Sequence, residues 1–247
     1  MQRSGEARSR YPRLCCSLAR SGAPRALRSL ACGGMPPTRR QLAEASAELA
    51  RRDAALAAVV ERVGPCNLRR GRPRRAHFAE LARMICYQQL AGRAAAAIHG
   101  RFVALFDDGQ PTPEAVLSLL PAALRAAGLS GAKAASIRDL AEKVLAGEVK
   151  LDRLGRLPDE EIVRELTLVR GIGRWTAEMF LMFQLRRLDV WPVDDFGVRK
   201  GYATIFGLAE LPTAKELVAL GEPFRPYRSV AAWYCWRAAD VVLPKDN

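Results

Sequence analysis

The chain has 247 residues, 49% apolar, 26% charged and 7% aromatic, a composition typical of globular proteins and long enough for one large core or two small ones. No apolar run approaches the ~20 residues of a membrane-spanning helix, so no membrane span is expected. Six cysteines without a C-x-x-C pair, and only two histidines, His77 and His99, argue against a zinc site, an iron–sulfur cluster or a disulfide scaffold.

The net charge of +13 is unevenly spread. Residues 1–40 hold nine arginines against one acid, Glu6, and contribute +8. The rest of the chain, at +5, is mildly basic, which fits an acidic partner such as nucleic acid without establishing one. The 1–40 segment reads as a basic, disordered extension. It admits three explanations: a non-specific DNA-binding arm, an organelle transit peptide, or translation from an over-extended start with Met35 as the working initiator.

From about residue 41 the chain reads as helix after helix. Leu42 to Val63 carries an Ala/Leu/Val stripe, and a basic loop follows at 67–75. Phe78, Leu81, Ala82 and Ile85 fall at i, i+3, i+4 and i+7, one buried helix face. Ala91 to Phe106 is a further helix, and Thr112-Pro113-Glu114 opens the next with Thr as N-cap and Pro in the first turn. Ile137, Leu140, Ala141, Val144 and Leu145 form another stripe. Helices are expected over Asp159–Val169, Trp175–Leu185 and Ser229–Val241, and Thr213 to Glu216 is a capping-box pattern. No run of period-2 strands stands out. The fold class is all-α.

Two stretches carry the chemistry. In the first, a helix runs into Gly171-Ile172-Gly173 and a second helix leaves at once. Such a turn lets backbone approach a partner closely and presents free N–H groups and a positive dipole end, a phosphate site built without side chains. A tight corner with no ligand explains the turn equally well. The second stretch, Val190-Trp-Pro-Val-Asp-Asp-Phe-Gly, sets Asp194 and Asp195 before a helix. One of the pair can cap that helix while the other is solvated; a carboxylate there can also stabilise a developing cation or orient a water.

The Gly171-Ile-Gly-Arg-Trp-Thr-Ala hairpin followed by Pro192-Val-Asp-Asp-Phe resembles the helix-hairpin-helix (HhH-GPD) DNA glycosylase superfamily, and most closely its DNA-3-methyladenine glycosylase II branch. Three more segments resemble that branch: Ile85-Cys-Tyr-Gln-Gln-Leu-Ala, Leu124-Arg-Ala-Ala-Gly-Leu-Ser-Gly-Ala-Lys-Ala, and Pro226-Tyr-Arg-Ser-Val-Ala-Ala-Trp-Tyr-Cys-Trp-Arg. The likeness covers roughly 45–243.

The resemblance implies an enzyme that flips a damaged nucleotide out of double-stranded DNA and hydrolyses its N-glycosidic bond. The family's catalytic Asp maps onto the pair, with Asp195 the choice, Asp194 the fallback, and Asp194 otherwise the cap or a support. Lyase members carry Lys where this chain has Trp175, so a monofunctional enzyme is implied, acting on alkylated purines such as 3-methyladenine and 7-methylguanine. Deaminated or etheno purines are an alternative substrate class, and a non-catalytic DNA-binding module an alternative function. Trp175 is expected to stack on a cationic base, with plain core packing the competing reading. Tyr227, Met179, Gln88 and Gln89 are mapped to the base pocket, Leu90 to a DNA wedge, and Trp233 and Trp236 to the core. Arg170, Gly171, Ile172, Gly173, Arg174 and Thr176 form the phosphate-binding hairpin, with Arg199 a further phosphate contact. No cofactor is implied beyond a monovalent cation on the hairpin backbone, and no side-chain metal site.

Two lobes with a cleft between them are implied: 76–190 with the hairpin, and 41–75 combined with 191–247. The N-terminal β-rich domain of some relatives is expected to be missing. The implied protein is a monomer, cytoplasmic and nucleoid-associated if bacterial, nuclear or organellar if eukaryotic.

Overall fold

The computed structural model describes residues 36–68 and 76–239. The rest of the basic extension and most of the basic loop lie outside the described residues. Among the described residues there is no strand, and no helix is long and apolar enough to cross a membrane. Twelve α-helices are described: α1 Arg39–Arg52, α2 Ala54–Val63, α3 His77–Tyr87, α4 Gly92–Val103, α5 Pro113–Ser118, α6 Pro121–Ala126, α7 Gly131–Leu145, α8 Asp159–Leu166, α9 Arg174–Phe183, α10 Phe196–Phe206, α11 Ala214–Leu220 and α12 Arg228–Ala238.

Local chemistry sets the boundaries. A capping box between Thr38 and Gln41 starts α1 at Arg39, inside the stretch expected to be extension. The stripe from Leu42 to Val63 is two helices. Asp53 leaves helical geometry (φ −145°, ψ 124°) and its carboxylate accepts from the Ala55 and Leu56 amides at 2.8 and 3.1 Å. Thr112 and Thr213 cap α5 and α11 as their sequences predict.

The helices pack in two groups. In one, α1, α2, α10 and α12 lie against each other; in the other, α7 packs against α3, α5 and α6, and α4 lies on α3. The hairpin helices α8 and α9 pair with each other, and His77 of α3 meets Phe180 of α9 edge-on at 5.5 Å. The closest crossing is that of α10 with α12. Gly197 and Gly201, four apart on one face of α10, make it: a Cβ at Gly201 would sit 1.8 Å from the Cys235 carbonyl oxygen, and one at Gly197 would sit 2.8 Å from the Trp236 ring. Ser229, fully buried, ties the start of α12 to the loop after α9. Its amide donates to the Leu188 carbonyl at 2.9 Å, and its hydroxyl donates to the Arg187 carbonyl and accepts from the Val190 amide.

Candidate active site and glycine hairpin

The loop after α9 delivers Asp195 to the N-terminus of α10, where it is the N-cap. Its Oδ1 accepts from the Val198 amide at 2.8 Å and from the Trp236 indole N–H at 2.8 Å, and its Oδ2 accepts from the Trp175 indole N–H at 2.7 Å. Three donors and a helix dipole therefore converge on one carboxylate. Asp194, beside it, is exposed. The expectation that Asp194 is the cap is thus corrected: only the residue directly before Phe196 reaches the third helical amide.

A pocket of about 400 Å³ opens at this carboxylate, lined by Trp175, Asp194, Asp195, Phe196, Gly197 and Trp236. Trp175 is 43% exposed and Phe196 63% exposed, unusual for rings of this size, and Trp236 stacks on Phe183 at 5.8 Å. By sequence, Trp236 belongs to the core. It is buried, yet its N–H and one ring edge belong to the site. The signal that could have found it is Gly197, which clears the space for its ring.

Four mapped residues lie elsewhere. Tyr227 is buried at the opposite end of α12, nine residues or about 14 Å from Trp236, with the Arg52 guanidinium 5.8 Å from its ring. Met179 is one turn past Trp175 and faces the core. Gln88 reaches the hairpin instead, its amide donating to the Gly171 carbonyl at 2.9 Å and to the Thr176 hydroxyl at 3.4 Å. Gln89 is exposed, in the left-handed region at φ 55°. None of the four lines the pocket. Leu90, which follows Gln89 in the chain, is 40% exposed.

In the hairpin, Ile172 is buried and pins the turn to the core. The two glycines have different reasons to be glycine. Gly171 needs its left-handed φ of 78°, and a Cβ there would meet the Ser136 hydroxyl at 2.5 Å. Gly173 is the N-cap of α9, makes no side-chain cap, and has open space where a Cβ would stand. No side chain therefore caps the first-turn amides of α9. Arg170 is exposed, and its backbone amide donates to Asp139 at 2.7 Å. The Arg174 guanidinium, half exposed, pairs with Glu160 at 2.5 and 3.1 Å and with Glu178 at 3.1 Å. Arg199 likewise donates to the Pro212 carbonyl at 2.7 Å.

A larger cavity, about 510 Å³, lies on the other side of α9. Most of its arginines are spoken for: Arg174 by Glu160, Arg187 by Asp159, Arg225 and Arg228 by Asp189. Its wall includes Glu178, 4% exposed, whose Oε2 is buried with no hydrogen-bond partner. Burial pushes that carboxyl up to about 7, against the smaller opposing pull of Arg174. Burial likewise pushes the Cys66 and Cys86 thiols up to about 12, so neither is a nucleophile at neutral pH.

Residues 82–226 match the HhH-GPD superfamily of base excision DNA repair proteins. The chain is 36% identical to DNA-3-methyladenine glycosylase 1 of Schizosaccharomyces pombe over 199 residues, which covers 80% of this chain and 87% of that one. Among solved structures it is similar to the S. pombe 3-methyladenine DNA glycosylase in complex with abasic DNA, with a TM-score of 0.69, 37% identity, and 78% of this chain and 95% of that chain covered. It is also similar to a DNA-3-methyladenine glycosidase of Bacillus halodurans, with a TM-score of 0.70 and 36% identity over 77% of this chain and 87% of that one. With the hairpin, the capped Asp195 and the helical fold in place, the chain belongs to the HhH-GPD superfamily of base excision DNA repair proteins.

Proposed function

We propose that this protein is a monofunctional DNA glycosylase that extrudes alkylated purines, 3-methyladenine and 7-methylguanine, from duplex DNA and hydrolyses the N-glycosidic bond, acting as a monomer. The observation that carries this reading is the Asp195 carboxylate, fixed by Trp175, Trp236 and Val198 at the floor of an open aromatic pocket.

An alkylated purine is already cationic, so its bond to deoxyribose is weak and the base departs neutral with little need of protonation. Charge then develops on the sugar. Asp195 supplies the opposing charge, and its three donors hold it in place so that little reorganisation accompanies the reaction. A carboxylate has about four acceptor positions and three are used, which leaves capacity to orient the water that completes hydrolysis. The exposed ring of Trp175 offers a face to an electron-poor base. A β-lyase step needs an amine nucleophile, and an indole provides none.

The hairpin serves the other strand of the task. The first-turn amides of α9, which no side chain caps, suit a phosphate, with Arg170 beside them and Leu90 as the wedge that fills the space of the extruded base. A monovalent cation on the hairpin backbone fits in part. The Val169 and Gly171 carbonyls each accept one hydrogen bond already, from Ile172 and Gln88, and retain a lone pair.

The test is base release from methylated duplex DNA, with and without alkali. Free 3-methyladenine and 7-methylguanine, with strand breaks only after alkali, are expected. Asp195→Asn is expected to lower kcat by about 100-fold while lesion-containing duplex still binds. Unchanged activity in that variant would remove Asp195 from the mechanism.

A further inference from the structure

The segment Leu124–Ala134 resembles the glycosylases, yet the active site uses none of it. Its Lys133 lies on α7, and Lys133, Ser136 and Asp139 follow one another three residues apart along that helix. Each meets a different part of the DNA-facing surface. The Lys133 ammonium donates to the Cys86 carbonyl at 2.8 Å, at the end of α3 where the Gln88–Leu90 turn begins. Ser136 lies directly under Gly171. Asp139 accepts from the Arg170 amide at 2.7 Å and is held in turn by Lys143 at 2.6 Å. Gln88 then crosses from the turn to the hairpin, bonding the Gly171 carbonyl and the Thr176 hydroxyl.

Between the two sits Gln89, at φ 55°. A non-glycine residue stays in that region only where its surroundings over-determine it. Here the turn is fixed from behind by Lys133 and from the side by Gln88, and the reversal at Gln89 sends the chain from Gln88, engaged with the hairpin, to Leu90, 40% exposed.

We propose that Gln88 and Lys133 are positioning residues that hold the Leu90 turn in register with the hairpin, so that gripping the phosphate and driving the wedge into the duplex are one coupled act. The inference rests on the reading of Leu90 as the wedge. Gln88 therefore acts on extrusion rather than on affinity or on the base.

The experiment uses the full chain and a duplex with a tetrahydrofuran abasic site flanked by 2-aminopurine, whose fluorescence rises when a wedge unstacks it. The fluorescence readout requires no glycosylase activity, so failure of base release and failure of this inference are separate results. Gln88→Met keeps the length and removes the donor to the Gly171 carbonyl without adding charge to the hairpin. It is expected to cut the fluorescence rise about fivefold while the Kd for the duplex stays within about threefold, and Lys133→Met is expected to cut the rise in the same direction. Leu90→Ala should abolish the rise, and adding Gln88→Met to it should cost single-turnover base release nothing more, since Gln88 acts through Leu90. Losses that add in the double variant, or a full rise in both Gln88→Met and Lys133→Met, overturn the proposal. No rise with the unaltered protein overturns the wedge and this inference together. Thermal melts confirm that each variant folds, and Lys133→Met carries the test should Gln88→Met not.

Discussion

Glu178 gives the sharpest test of the electrostatics. It is 4% exposed, one of its oxygens has no partner, and its neighbour Arg174 shares its charge with the exposed Glu160. Burial raises its carboxyl from 4.5 to about 7. The sign follows from linkage. Below pH 4.5 the group is neutral in both the folded and the unfolded chain, so its protonation makes no difference to stability. Between 4.5 and 7 the unfolded chain releases the proton and the folded chain retains it, so stability falls as pH rises. Above 7 the folded chain carries the buried charge, and the accumulated loss is on the order of 3 kcal/mol at 1.36 kcal/mol per pH unit. Glu178→Gln keeps the shape and an acceptor for Arg174 and removes the titration. Urea unfolding at fixed m-value should find variant and parent within about 1 kcal/mol at pH 4.5, with the variant gaining about 2–3 kcal/mol on the parent by pH 8. A stability difference that stays flat from pH 4.5 to 8 refutes the reasoning. A variant that loses ground as pH rises refutes it more strongly, because it would mean that Arg174 outweighs burial.

The glycines separate packing from DNA contact. Gly201→Ala places a methyl against the Cys235 carbonyl, where a Cβ would be 1.8 Å away, and should cost at least about 3 kcal/mol in a thermal melt because two helix backbones must part. Gly171→Ala should lose about 1–2 kcal/mol of stability from its left-handed backbone alone, seen by the same melt. Gly173→Ala has open space and an ordinary φ of −91°, so its melting temperature should stay within a few degrees while its affinity for duplex, measured by fluorescence anisotropy, falls about tenfold. A Gly173→Ala protein that binds as tightly as the parent would show that this backbone does not approach DNA.

How much of this was legible in the sequence depends on the distance between the residues that had to meet. Features settled within a turn or two of chain were readable: the caps at Thr112 and Thr213, the buried face of α3, the glycine hairpin and the Asp that follows it 20 residues after Trp175. Even there a single polar side chain could defeat periodicity. The stripe from Leu42 to Val63 runs on without interruption, and Asp53 breaks it because its carboxylate captures two amides that the helix leaves unpaired. The partners of Arg174 were only half readable for a similar reason. Its partner Glu178 is one helical turn away and visible in the sequence, but Glu160 comes from another helix, and no local spacing announces that pairing.

Contacts between distant segments were not readable from one residue at a time. Which aromatic on α12 reaches Asp195 depends on which end of that helix lies over α10, and the choice between Tyr227 and Trp236 is a choice between ends about 14 Å apart. That crossing point was nevertheless written in the sequence, in the spacing of Gly197 and Gly201. Two glycines four apart on a helix mark one face where another backbone comes near, and the facing residues are Cys235 and Trp236. The same two positions thus fix the interface between α10 and α12 and the placement of the indole that holds the carboxylate. A substitution at Gly201 should therefore disturb Asp195 as well as stability, even though Gly201 touches neither DNA nor the pocket.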